Sequence, residues 1–415
     1  MDTLLFRVAG LDIHKKFVMA CIRITDTQTG KVREEVRRFD SMTGDLRKLR
    51  DWLVAEQITD VAMESTGVYW KPVWNILEGA LRLTLANAHE LKQVPGRKSD
   101  VKDSQWIAHL LACGLITPSF VPEQAQRDLR DLTRNRTTLL QERTRVSNRI
   151  QKVLEDMNIK LASVASNVLG VSGRDMLAAL ARGETDPESL ADLARGSLRG
   201  KSEELKRALE GHVRPHHRFL LRQLLDHLGH LEEQIATYDL QIRETIGPFL
   251  TPKTEAVLDK VPGVNKRTIE VVVAEIGTEM SHFPTAANLC SWAGICPANE
   301  ESAGKRKRKR IKLGNKWLKS ALVESARAAA RTKDTYFRAQ YARLAARRGT
   351  NRAAIAVAHS LLVVLYHLIK NPESEYKDLG VAYFDQRNPA RQAKHLVKRL
   401  ETLGFDVTLT PHTAA

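Results

Sequence analysis

Cysteine is scarce: the 415 residues hold four, Cys21, Cys113, Cys290 and Cys296. None belongs to a C-x-x-C pair and the spacings fit no disulfide framework, which argues against a disulfide-stapled scaffold. His227 and His230 lie one helical turn apart but have no further Cys or His at zinc spacing, so a zinc centre is not expected there. Long apolar runs are missing too. The longest, Ala353 to Ile369, is broken by His359, Ser360 and His367 and falls short of the roughly 20 residues a membrane span needs, so we expect a buried helix and no membrane partner. The first residues, MDTLLFRVAGLDIHKKF, lack the basic, apolar and small-residue succession of a signal peptide, and the expected location is the cytoplasm with reduced thiols. Acidic residues are outnumbered as well. Asp and Glu total 49 against 65 Lys and Arg, a net charge of +16. Such an excess points to a polyanionic partner, most commonly nucleic acid. With 43% hydrophobic and 27% charged residues the chain is globular rather than disordered, and its length calls for two to three domains.

What is present begins with strands. FRVAGLDI and FVMACIRI are β-rich runs joined by the polar turn HKK, and a third strand is expected from Val32 to Phe39. TGDLRKLRDWLVAEQ then places Leu46, Leu49, Trp52 and Leu53 at helical spacing. ITDVAME gives a fourth strand, GVYWKPVWNILEGA a second helix and RLTLANA a fifth strand, and a helix over about Val101 to Cys113 closes the set. Three strands, helix, strand, helix, strand is the order of an RNase H-like α/β domain. That order brings four acids together. Asp12 ends the first strand and Glu64 the fourth, which are neighbours in such a sheet. Asp100 and Asp103 share one face at the start of the closing helix. Carboxylates that converge need a cation, and oxygen-only ligands suit Mg²⁺ or Mn²⁺. Two such ions about 4 Å apart clamp the attacking and leaving oxygens of a phosphoryl transfer.

From Pro122 to Pro248 strand signals vanish. Leu221, Leu224, Leu228, Leu231, Ile235, Tyr238 and Ile242 recur at spacings of three and four, an a/d seam that suits either a coil between chains or an antiparallel hairpin within one. An earlier helix, about Gln124 to Met157, carries Leu132, Leu139, Val146, Ile150, Val153 and Met157 on one face. Its arginines, Arg130, Arg134, Arg136, Arg143, Arg145 and Arg149, suit either a nucleic-acid-facing or a solvated surface. Further on, LDKVPGVNKRTIEVVVAEIG has a helix-hairpin-helix pattern, in which the amides around Gly263 and the following helix start favour phosphate oxygens. Then comes NEESAGKRKRKRIK, where Ser302 precedes a turn and six consecutive basic residues, Lys305, Arg306, Lys307, Arg308, Lys309 and Arg310. A solvated basic segment is the plain reading. With a metal site elsewhere in the chain, a hydroxyl aimed at a phosphate held by that basic run is the sharper one.

The stretches GLDIHKK, MESTGVYW, KSDVKD and ESAGKRKRKRIKLGNKWLKSALVESA resemble the DEDD-type insertion-sequence transposases related to the Piv DNA invertases. The resemblance covers most of the chain and is weakest over about 160–245. It implies a RuvC-like domain over 1–120 whose Asp12, Glu64, Asp100 and Asp103 bind Mg²⁺. It also implies a carboxy-terminal transposase domain, so the expected order is that first domain, a helical, coiled-coil region over 121–250, the mainly α-helical transposase domain with the helix-hairpin-helix over 251–370, and a tail, 371–415. In the S-x-G-K turn of such proteins the serine is the nucleophile, which here is Ser302. The resemblance further implies a covalent serine–phosphodiester intermediate and donor and target DNA as substrates. It also implies an element-encoded bridge RNA, a homo-oligomer (dimer or tetramer) and a nucleoid-associated place in a bacterial cytoplasm. The alternative is a metal-dependent RNase H-like nuclease or junction resolvase in which Ser302 does no covalent chemistry.

Overall fold

The computed structural model describes residues 3–64, 67–87, 100–296, 301–302, 305–306, 314–387 and 389–410, with backbone alone for 100–102, 301, 302, 305, 306, 391 and 395. The chain divides into two compact units, Met1–Pro122 and Glu123–Ala415.

The first unit is a five-stranded mixed sheet with helices on both faces. Its elements are β1 (Arg7–Ile13), β2 (Phe17–Thr25), β3 (Val32–Asp40), α1 (Thr43–Ala55), β4 (Asp60–Glu64), α2 (Trp70–Leu77), β5 (Arg82–Ala86) and α3 (Asp100–Ala112). Strand order is β3-β2-β1-β4-β5. β1 pairs antiparallel with β2 and parallel with β4, and β4 pairs parallel with β5. This is the RNase H-like arrangement that the order of elements predicts. Period-two alternation sorts the side chains of β1. Ala9, Leu11 and Ile13 join one core with Leu46, Leu49, Trp52 and Leu53 of α1 and Val73, Trp74 and Leu77 of α2. Val8, on the other face, packs with Ala62 of β4 and with Ile107, Ala108 and Leu111 of α3. β3 lies at the sheet edge and its charged residues Arg33, Glu34, Glu35 and Arg37 discourage pairing with a further strand.

Among its described residues the second unit is helical apart from one short hairpin. Its main elements are α4 (Gln124–Asp156), α5 (Val171–Arg182), α6 (Pro215–Ile246), α7 (Pro252–Asp259), α8 (Lys266–Ile276), α9 (Ala286–Trp292), β6 (Glu301–Ser302), β7 (Lys305–Arg306), α10 (Lys316–Ala329), α11 (Tyr336–Arg348), α12 (Thr350–Lys370) and α13 (Pro389–Thr402). Ion pairs Arg136–Asp239, Arg143–Glu232 and His217–Asp156 link α4 to α6 with numbers rising on one helix and falling on the other, so the two run antiparallel. The seam leucines of α6, Leu221, Leu224, Leu228 and Leu231, are buried together with Val146, Ile150 and Leu154 of α4 and Met176 and Leu177 of α5. The heptad pattern thus closes a hairpin inside the chain. α12 is, among the described residues, the one helix long and apolar enough to cross a membrane. Ala353, Val357, Leu361 and Leu365 on it are buried, and it packs on α9, α10 and α11.

The structure divides the arginines of α4. Arg136 is 1% exposed and its Nη1 donates to Asp239 at 2.8 Å and to Glu270. Arg134 grips both carboxylate oxygens of Glu275 at 2.7 Å each, and Arg130 donates to the Ala274 carbonyl at 3.0 Å. Burial pushes the Arg130 guanidinium down to about 10, so it remains charged at neutral pH. These three, with Arg143 on Glu232 at 2.8 Å, are engaged by groups of the protein itself. They neutralise acids that α8 and α6 bring against α4. Arg145 and Arg149 stay exposed.

Candidate active site

On β1, Asp12 alternates with Gly10 and Val8 and so points to the α3 face of the sheet. Leu11 faces Met63 across the parallel pair, which makes Asp12 and Glu64 the next residues on their strands. Glu64 ends β4 on the same side as Ala62, also toward α3. α3 lies this close because position 10 has no side chain. A Cβ on Gly10 would sit 2.2 Å from the Ser104 carbonyl oxygen and 2.4 Å from the Ala108 nitrogen. Asp103, the neighbour of Ser104, is thereby carried to the same end of the sheet. Asp100 opens α3 one turn earlier, and its side chain lies outside the described residues.

Electrostatics report the convergence. Asp12 is 8% exposed, and burial raises its carboxyl above the usual range. The charges of Asp103 and Glu64 push the same way, while His14 opposes, its Nε2 lying 3.0 Å from Asp12 Oδ2. Carboxylates gathered on one face, all with hard oxygen donors, fit a divalent cation such as Mg²⁺, whose charge would offset the cost of ionising Asp12. Sequence reasoning missed both His14 and Gly10. No residue of the strand itself marks the glycine, because the demand comes from the backbone of α3 at Ser104 and Ala108.

Ser302 falls in the second unit. β6 and β7 form a two-strand hairpin in which Ser302 is the partner of Lys305 and Glu301 of Arg306. Ala303, Gly304 and Lys307 to Arg310 lie outside the described residues. A Cβ on Gly314, where the chain returns, would fall 2.3 Å from the Gly294 nitrogen and 2.5 Å from the Ala293 carbonyl carbon, so both stems meet backbone to backbone. Asn315 follows. Its Oδ1 caps α10 by accepting from the Trp317 and Leu318 amides at 3.0 Å each, and its Nδ2 donates to Glu275 Oε2 at 2.6 Å. Glu275 is fully buried and also held by Arg134, so α4, α8 and the start of α10 are tied at the neck of the segment that carries Ser302.

Gly263 sits at the turn between α7 and α8 with φ near +80°. A Cβ there would meet the Ser325 carbonyl at 2.3 Å and the Ala329 nitrogen at 2.5 Å, so packing against α10 alone demands a glycine. His227 and His230 are exposed. A different group, Asp156, His216 and His217, places its possible ligand atoms within 4.8 Å of one another. In it His217 Nδ1 accepts from the Arg214 amide at 3.3 Å and Nε2 lies 2.7 Å from Asp156. Both ring nitrogens are engaged, which makes this a clasp at the end of the α4–α6 pair rather than a metal centre.

The family profile of DEDD transposases of the IS110 type spans residues 9–159, and the profile described as "Transposase IS116/IS110/IS902 family" spans 255–342. A protein of Pseudomonas aeruginosa described as "Probable family 20 transposase" is 25% identical over 88% of this chain and 93% of its own. The transposase for insertion sequence element IS1111A of Coxiella burnetii is 24% identical over 69% of this chain and 70% of its own. An uncharacterized protein of insertion element IS110 from Streptomyces coelicolor is 34% identical over 28% of each chain. Among solved structures, RuvC of Thermus thermophilus aligns over its whole length and 28% of this chain, with a TM-score of 0.22 and 14% identity. At that score the fold statement rests on strand order alone. An enzyme acting on DNA is the class that the two profiles define. The chain belongs to the IS110 family of DEDD transposases.

Proposed function

We propose that this transposase cuts and rejoins DNA through a serine–phosphodiester intermediate, with Ser302 as nucleophile and Asp12, Glu64, Asp100 and Asp103 as the ligands of Mg²⁺ or Mn²⁺. The observation that carries it is the shared face of Asp12, Glu64 and Asp103, on which burial and mutual charge raise the Asp12 carboxyl. Bound there, the cation neutralises charge on the phosphate and favours the ionised form of an attacking oxygen. Ser302 Oγ forms a bond to the scissile phosphorus, the bond to the 3′ oxygen breaks, and the serine proton ends on that oxygen. A 3′ hydroxyl of the strand to be joined then attacks the phosphoserine and releases Ser302, so the phosphodiester is conserved without an external energy source. Lys305, Arg306, Lys307, Arg308, Lys309 and Arg310 neutralise the phosphate, and Gly263 with the start of α8 contacts the backbone in the manner of a helix-hairpin-helix. Donor and target DNA are the substrates, an element-encoded bridge RNA selects them, and a homo-oligomer in the nucleoid carries out the exchange. Under this reading residues 121–250, 251–370 and 371–415 are the helical arm, the serine domain and its tail.

A nicked DNA substrate that loses its attacking end tests the chemistry. The wild-type chain is expected to leave a denaturant-stable protein–DNA adduct, Ser302→Ala none, and Asp12→Asn at least a hundredfold less cleavage, on the order of losing one charge stabiliser. Cleavage by Ser302→Ala without any adduct would overturn the serine step and favour the metal-only nuclease.

A further inference from the structure

A cavity of about 380 Å³ opens in the second unit between α4, the start of α8 and α10. Its volume lies in the range of small-ligand sites. Arg143 and Arg267 line it with guanidinium side chains 39% and 48% exposed. Trp317 supplies a half-buried aromatic wall, with Lys316 Nζ 4.7 Å from its ring centre, and Leu140 and Val271 add apolar surface. The cavity is also lined by Arg136, 1% exposed, whose Nε has no hydrogen-bond partner although its Nη1 is committed to two acids. An unsatisfied buried donor is costly, and a ligand acceptor would relieve it. Exposed Glu324 lines the same cavity, contributing a carboxylate.

That mixture discriminates between ligands. A bare phosphate would suit the arginines and be repelled by Glu324. A nucleobase uses everything present: a flat face for Trp317, ring nitrogens or carbonyls for Arg136 Nε, and amino or imino hydrogens for Glu324. The rim cations would meet the phosphates on either side of it. We propose that this cavity receives one unstacked base of a nucleic-acid strand. The inference rests on the proposed action on nucleic acid, but not on Ser302 chemistry. The carboxylates of the first unit take no part in it.

The test uses the full chain with short single-stranded DNA and RNA oligonucleotides bearing 5-iodouracil, photocrosslinked and mapped by mass spectrometry. Adducts on Trp317 or on the adjoining α4 and α8 residues support the proposal, with whichever strand type forms them identifying the guest. Trp317→Ala is expected to weaken single-strand binding about tenfold, in line with one lost base–aromatic stack, and Trp317→Phe to restore most of it. Glu324→Gln should change the preference among bases more than the affinity. Crosslinks that map only elsewhere, or a Trp317→Ala chain that binds single strands like the wild type, would overturn it. If that happens while the nicked-DNA adduct still forms, the base pocket fails and the transposase chemistry stands.

Discussion

The carboxylate face of the first unit and the serine hairpin of the second are held by opposite means. In the first, strand register and apolar packing fix Asp12 and Glu64, and the two faces of β1 are lined by Ala9, Leu11 and Ile13 on one side and Val8 on the other. In the second, the neck of the Ser302 segment is fixed by a buried ionic knot of Glu275, Arg134 and Asn315. Both need a glycine where backbones touch, Gly10 under α3 and Gly314 against Gly294. The contrast has a physical logic. Register is set by every residue of a sheet and tolerates no slip, which suits ligands whose spacing matters to a fraction of an ångström. The β6–β7 hairpin has only two paired positions to set its register, so directional charge-assisted bonds at its neck do the positioning.

Breaking the ionic knot should have the largest effect on stability. Glu275→Ala leaves the partly exposed Arg134 guanidinium and the Asn315 amide without the fully buried acceptor that joins them. A loss of about 3–5 kcal/mol is expected on full-chain urea unfolding, as for one partner removed from a buried ion pair. Serine adduct formation should fall further than unfolding explains, because the neck loses its tie, while Glu275→Gln keeps an acceptor and falls less. If Glu275→Ala unfolds like the wild type, the knot does not hold this unit and the contrast between the two regions collapses.

The difference also explains what could be read from the sequence. Alternating apolar residues in β1, β2 and β4 and the Leu46, Leu49, Trp52 and Leu53 stripe of α1 are local signals, and each produced the element that is found. The fate of the α4 arginines was not local. Glu270 and Glu275 are embedded in the apolar run IEVVVAEI, and only the packing of α8 on α4 shows that those acids need cations. The heptad seam left two partners open, because a leucine stripe records that it will be covered and not by what. The demand for a glycine at position 10 became visible only when α3 was seen to cross it.

Gly10→Ala sharpens the same contrast from the other side, with an intermediate effect. Its Cβ would collide with the backbone of α3, which cannot move as a flexible side chain does, so overpacking should cost about 1–3 kcal/mol. The displacement acts on the helix that carries Asp103, so binding of Mn²⁺ to the full chain, followed calorimetrically, should weaken too. Gly44→Ala, in α1 with open space around it, is the matched control and should not destabilise. Equal behaviour of the two variants would show that α3 does not depend on the glycine.

The smallest effect is expected where the ionic unit meets acid. Glu232 on α6 receives Arg174 of α5 at 2.6 and 2.7 Å and Arg143 of α4 at 2.8 Å. The Arg174 hydrogen bonds hold its carboxyl below the ordinary 4.5, those from Arg143 and both positive charges acting the same way, while burial opposes them. A depressed folded value means that the stabilisation is complete above 4.5 and is lost as the pH falls through that lower value. Glu232→Gln should therefore unfold about 1 kcal/mol more easily near neutral pH, the scale of a partly exposed ion pair. Unfolding curves of the two proteins should draw together as the pH falls from 4.5 through the depressed folded value, below which the wild-type carboxylate is also protonated. A gap that persists unchanged into acid would mean that Glu232 acts by shape alone, and that charge does not join these three helices.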